Sequence, residues 1–314
     1  MEKRRAWAGL ASRYGAAGES HAWKHVFEHY YWDRLEQAHR AASELGAGAA
    51  ASGLIGFRTI EGEYSTRQRS TLHEVNEWLT VEVIEEELPE PVQVLSKHIV
   101  SFCDIVAKRL GFEHGPSTLV TVLSKDSNVP WMPGRHGFCV DKYPYDKICI
   151  PNFSTHDHDD LKHVVQHEYA HVITLNLSNG QCPLWLDEAI AMVAGGGADR
   201  RIWAALASGR AQWLAFDRLS SSFLRNREDD HERQIVWHAY QQSAVIGFYL
   251  ANLKGEQGLA ALMRGYANNT LIKDFMMRVK GQEPTDEALR EVYDIDTKQL
   301  FELAHSWLKQ GGNT

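Results

Sequence analysis

Residues 166–191 read QHEYAHVITLNLSNGQCPLWLDEAIA. His167 and His171 stand four apart with Glu168 after the first, and a second acidic pair, Asp187 and Glu188, comes a loop later. Just upstream, Asp157, Asp159 and Asp160 place negative charge where a helix N-terminus favours it. Leu161, Val164, Val165, Val172 and Ile173 then recur mostly at three- and four-residue spacing, which predicts a helix with one buried stripe. On such a helix the two histidines project from the same side, one turn apart, so both imidazoles reach a single ion. Glu168 is rotated by about 100° from His167. That sets its carboxylate beside the ion but out of line with the ligands, where it can take a proton from water.

With 16 His and 41 Asp plus Glu in 314 residues, a His-acid-x-x-His pattern arises by chance about 0.1 times in such a chain. The bland reading is therefore two histidines on a helix surface or satisfied in a core. The residues downstream of the pattern favour the metal. A catalytic zinc takes three protein ligands and leaves a fourth position for water. After His171 the chain runs through ITLNL, turns at Ser178-Asn179-Gly180 and restarts at Pro183, a residue suited to the first turn of a helix. Glu188 lies on the new helix with sixteen residues between it and His171, enough chain for a helix end, a turn and an antiparallel return. Trp185, Leu186, Ile190 and Val193 give that helix an apolar face. Glu188 is the expected third ligand, Asp187 competes with it, and an exposed helix acid is the plain alternative. His163, one turn before His167, becomes a ligand if Glu188 is not. His156 and His158 in THDHDD read as a helix-capping loop, with an accessory metal site as the sharper alternative.

HEYAH and then PLWLDEAIA resemble the gluzincin metallopeptidases, whose signature is HExxH and a downstream Glu. The WLxE-small-x-A form is most similar to compact peptidase-MA-like domains. The similarity extends to SKDSNVPWMPGRHGFCVDKYPYDKICIPNF, a strand-and-loop segment, to HAYQQSAVIGFYLANLKGEQGLAALM, a Tyr-x-x-Ser helix with a Gly-bearing turn, and to DTKQLFELAHSWLKQ, a closing helix. It covers about residues 116–310. The resemblance implies a zincin-like α+β fold, one zinc ion per chain held by His167, His171 and Glu188, and Glu168 as general base. It also implies Tyr240 as the hydroxyl facing the oxyanion, with His238 and His231 as competitors for that role. Ala189 departs from the pattern, standing where such domains commonly have Gly; it is small and helix-favouring, so no loss of metal is expected. The implied activity is zinc-dependent hydrolysis of peptide bonds in a peptide or protein substrate bound extended along a sheet edge. An inactive zinc-binding scaffold or peptide-binding module is the alternative, and a metal-free helical interaction protein stands behind both.

Composition narrows the remaining classes. Hydrophobic residues make up 44% and charged residues 24%, values of a globular protein with a sizeable core. A formal net charge of −8 points away from nucleic acid, which needs clustered Lys and Arg. No apolar run approaches the roughly 20 residues that span a bilayer, so no membrane partner is expected. MEKRRAWAGLASRYG has only a broken apolar stretch behind its basic cluster and does not read as a secretory signal. Cys103, Cys139, Cys149 and Cys182 form no CxxC pair, which fits free thiols in a reducing, cytoplasmic location.

Along the chain, 1–115 reads as an N-terminal helical region of unknown role and 116–314 as the gluzincin-like catalytic region. Within the first, 21–45 carries Trp23, Phe27, Tyr30, Tyr31, Leu35, Ala38 and Ala42 at helical spacing. GAGAAASG at 46–53 is a small-residue break, and 71–87 and 92–110 read as further helices joined by EEELPEP. TLVTVL at 118–123 and the segments 137–140 and 147–151 predict a small antiparallel or mixed sheet within 116–200, packed on the HExxH helix. From 201 to 314 a helical subdomain is expected, clearest at 237–253 and at 297–310, the latter stopped by Gly311 and Gly312.

Overall fold

The computed structural model describes residues 21–45, 57–88, 90–113, 115–124, 137–140, 142–153, 158–223, 230–267 and 284–312. The break at 46–53, Trp131 with most of its WMPGRHGF loop, His156 and Asp157 lie outside these residues. Over the described residues the chain is α+β and mostly helical, with one mixed five-stranded sheet. It packs as two compact units, one spanning 1–104 and 114–172, the other 105–113 and 173–314.

The first unit is built on the sheet. TLVTVLS and DKICIPNF, rich in β-branched residues, form β3 (Thr118–Ser124) and β5 (Asp146–Phe153). The strand expected at 137–140 is β4 (Phe138–Val140). Residues 71–87 are not the expected helix. They form β1 (Thr71–Glu74), a turn, β2 (Leu79–Val83) and a short 3₁₀ turn at Glu85–Glu87. The Asn76 side-chain oxygen accepts the backbone N–H groups of Trp78 at 3.0 Å and Leu79 at 2.8 Å, which bends the chain back on itself. LTVEV then alternates with period two, and that outweighs the helix-favouring glutamates around it. The strand order is β1-β2-β3-β5-β4. The centre, β2-β3-β5, is parallel and only the two edges are antiparallel.

Among the described residues three helices precede the sheet: α1 (His21–Tyr31), α2 (Leu35–Leu45) and α3 (Phe57–Arg67). Val26, Phe27, Tyr30, Leu35, Ala38 and Ile60 from these helices share one buried cluster with Leu123, Phe138, Val140 and Cys149 of the sheet. Beside this cluster lies a charge network. Lys147 of β5 sits 2.7 Å from Glu63 and 3.6 Å from Glu82, and Lys142 sits 2.9 Å from Asp33 and 3.3 Å from Glu63. Arg67 closes the network on Glu82 and, at 3.2 Å, on Asp33, while Tyr30 donates to Glu63 and Tyr145 to Asp33. Three cations thus face three carboxylates, which is how charged residues occupy central parallel strands.

Two further helices, α4 (Val92–Arg109) and α5 (His158–Leu177), begin in this unit and have their last residues in the second; α5 bears on the site. It opens with Asp159 and Asp160 in its first turn, as expected, and ends at a turn over 178–180 with Asn179 at φ 50° and Gly180 at φ 73°. Leu161, Val165, Tyr169, Val172 and Ile173 are buried along it.

Among the described residues of the second unit every regular element is a helix. α6 (Leu184–Gly195) starts after Pro183, which stands at its N-cap, and stops at Gly196 in the left-handed conformation. α7 (Arg200–Ala207), α8 (Phe216–Ser222), α9 (Asp230–Ala267), α10 (Pro284–Tyr293) and α11 (Thr297–Lys309) complete it. α9 breaks at Lys254 and Gly255, the expected Gly-bearing turn, where Gly255 takes φ 65°. A Cβ on Gly247 of α9 would fall 2.5 Å from the Ala189 carbonyl oxygen of α6 and 2.9 Å from Val193 Cγ2. The glycine lets one helix backbone lie directly on the other.

Candidate metal centre

The helical period brings His167 and His171 to one side of α5, their ring centroids 5.0 Å apart and their planes at 83°. Both rings are half-buried. Glu188, on α6, is 7% exposed. Each of the three offers one ligand atom, and these atoms lie within 4.8 Å of one another. Among the described residues this is the group of His, Cys, Asp and Glu side chains that can hold a metal ion. Tetrahedral zinc with bonds of about 2.0–2.1 Å sets its ligand atoms about 3.3 Å apart. Two imidazole nitrogens and one carboxylate oxygen form a donor set that fits zinc.

Asp187, the competing ligand, is engaged elsewhere. It is buried and accepts a hydrogen bond from the Thr174 hydroxyl, one turn beyond His171 on α5. His163 is exposed and outside the triad. His158, at the start of α5, has its ring edge-on to His98 at 4.7 Å and to Phe102 at 5.1 Å, a ring-packing position.

Glu168 comes directly after His167 and is 7% exposed. Its side chain lies against Gly137, the residue before β4, and its charge contributes to pushing up the thiol of Cys149, which burial raises most. Tyr169, the next residue, is fully buried beside Trp78 with its hydroxyl over Gly115. Burial, with the charges of Cys103, Asp104 and Asp146 added, holds that phenol well above its ordinary range, so it stays protonated.

Tyr240 is half-buried on α9, its ring edge-on to Phe223 at 4.9 Å and tilted against Trp237 at 6.4 Å. It belongs to an apolar cluster with Trp203, Trp213 and Phe248. His238 is half-buried and His231 exposed on the same helix. The structure thus joins His167, His171 and Glu188 in one group and sets Tyr240 in aromatic packing. Two neighbours of the group, Thr174 and Gly137, carry no motif; only their spacing from His171 and from β4 marks them. No helix among the described residues is long and apolar enough to cross a membrane. In comparisons with known proteins, no family, no curated sequence and no solved structure matches the chain.

Proposed function

We propose that the chain is a zinc-dependent peptidase. The triad of His167, His171 and Glu188, with Glu168 one residue from the first ligand, is the observation that carries this reading. When bound there, zinc supplies a Lewis acid and lowers the pKa of a water it holds towards roughly 7.

The chain's own residues do the rest. Glu168 accepts the proton of the attacking water and returns it to the leaving amine nitrogen, a shuttle that needs a carboxylate beside the ligands and not among them. A donor aimed at the developing oxyanion is typically worth about 10²–10³ in rate. Tyr240 is the hydroxyl that the gluzincin resemblance gives this task. The substrate lies extended along β4, an edge strand of the sheet among the described residues, where main-chain hydrogen bonds can hold it whatever its side chains.

A mixed peptide pool monitored by mass spectrometry tests the reading. Zinc-loaded protein should cleave, chelator should stop it, and added zinc should restore it. A zinc-loaded chain that leaves every peptide intact would instead be a zinc-binding scaffold or a peptide-binding module.

A further inference from the structure

Gly137 stands immediately before the edge strand β4, and its backbone lies on α5. A Cβ there would stand 2.8 Å from Glu168 Cγ, 2.9 Å from Glu168 Oε1 and 2.9 Å from Val164 Cγ1. Carbon atoms in contact prefer about 3.5–4.0 Å, so an added methyl group overlaps both side chains. Gly137 is not among the glycines of positive φ, so its missing side chain serves space and not backbone conformation. Glu168 is 7% exposed, which leaves its carboxylate little open volume to retreat into. The strand cannot easily give way either, because Phe138 and Val140 are buried and paired in register with Cys149 and Lys147 of β5.

We infer that Gly137 is a positioning residue for Glu168: the bare backbone ahead of β4 leaves the space that fixes the carboxylate. The strand proposed to hold substrate and the proposed general base are then set against each other by direct contact. A side chain at residue 137 moves the base while leaving the metal ligands in place. This inference rests on the peptidase reading, and its test separates the two.

The test compares wild type, Gly137→Ala, Glu168→Ala and the double variant. In thermal melts of zinc-free protein, Gly137→Ala should lower Tm, and less than half of that penalty should remain when residue 168 is Ala. In zinc-loaded protein, Gly137→Ala should keep the wild-type zinc stoichiometry and lose about 10² in kcat, the scale of a roughly 1 Å misplacement. KM should stay within about twofold, which a lost substrate contact would not allow. If Gly137→Ala does not fold, adding Val164→Ala removes the second close contact and carries the same kinetic measurement. Additive Tm effects or an unchanged kcat would overturn the role of Gly137 alone. An inactive wild type would overturn the peptidase reading, and the role of Gly137 with it.

Discussion

The Thr174 hydroxyl donates to the Asp187 carboxylate, tying the last turn of α5 to the first turn of α6. Thr174 is 1% exposed and Asp187 6%, so water does not replace the bond if it is removed. Asp187 immediately precedes Glu188, and fixing one fixes the helical phase of the other. Thr174→Val should therefore destabilise the protein by about 1–3 kcal/mol in urea unfolding, the cost of a lost hydrogen bond to a buried charge. It should also weaken zinc by about 10- to 100-fold in a competition titration, as the loss of a group supporting a ligand does. Thr174→Ser, which keeps the hydroxyl, should recover most of both.

Glu168→Gln removes the proposed proton acceptor and keeps the side chain's size. Zinc stoichiometry should not change, and peptide cleavage should fall by about 10²–10⁴, the usual contribution of general acid–base catalysis. Retained cleavage would mean that another group handles the proton.

Gly247 allows α9 to lie on the α6 backbone at Ala189, next to Glu188. The atom that a new Cβ would strike is a carbonyl oxygen at 2.5 Å, which cannot rotate away. Gly247→Ala should cost about 1–3 kcal/mol by overpacking, despite the better helix propensity of Ala. A thermal melt showing a gain in stability would contradict this packing.

The buried charge network makes the sheet unit acid-sensitive. Burial works to raise the Asp33 and Glu82 carboxyls, but Lys142 and Arg67 at Asp33, and Lys147 and Arg67 at Glu82, outweigh it and hold both at about 2. The Glu63 carboxyl, opposed by burial in the same way, is lowered by Lys142 and Lys147. An unfolded carboxyl titrates near about 4. The folded groups bind protons less readily, so their stabilisation is complete above about pH 4 and is lost as pH falls towards about 2. Urea midpoints between pH 7 and pH 2.5 should show that decline. Lys147→Met leaves Glu63 and Glu82 short of a partner and should cost about 3–5 kcal/mol at pH 7. Its acid transition should begin at higher pH than that of wild type.

The same network explains what the sequence hid. The buried stripe over Leu161–Ile173 and the turn at Asn179 and Gly180 are local signals, and they are enough to specify the helices α5 and α6. Glu82 and Lys147 are not local in this sense. Glu82 sits in a buried strand because Arg67 and Lys147 pair with it, and Lys147 because Glu63 and Glu82 do, each partner at least 15 residues away in the chain. Glu82 and the glutamates after it weaken the strand pattern, and residues 71–87 read as helix, whereas 147–151 reads as strand despite Lys147. The parallel centre of the sheet was equally hidden, because strand direction depends on crossovers and not on composition. The candidate triad was legible because His167 and His171 lie one turn apart on a single helix. The closeness of Gly137 to Glu168 was not, since a glycine that serves space alone has no periodicity.

Elemental analysis of zinc on purified wild type and on Glu188→Ala tests the central claim most directly. About one zinc per chain in wild type, lost or sharply weakened in the variant, is the predicted result for a catalytic three-ligand site. Wild-type protein prepared with ample zinc and without chelator that carries none would contradict the account.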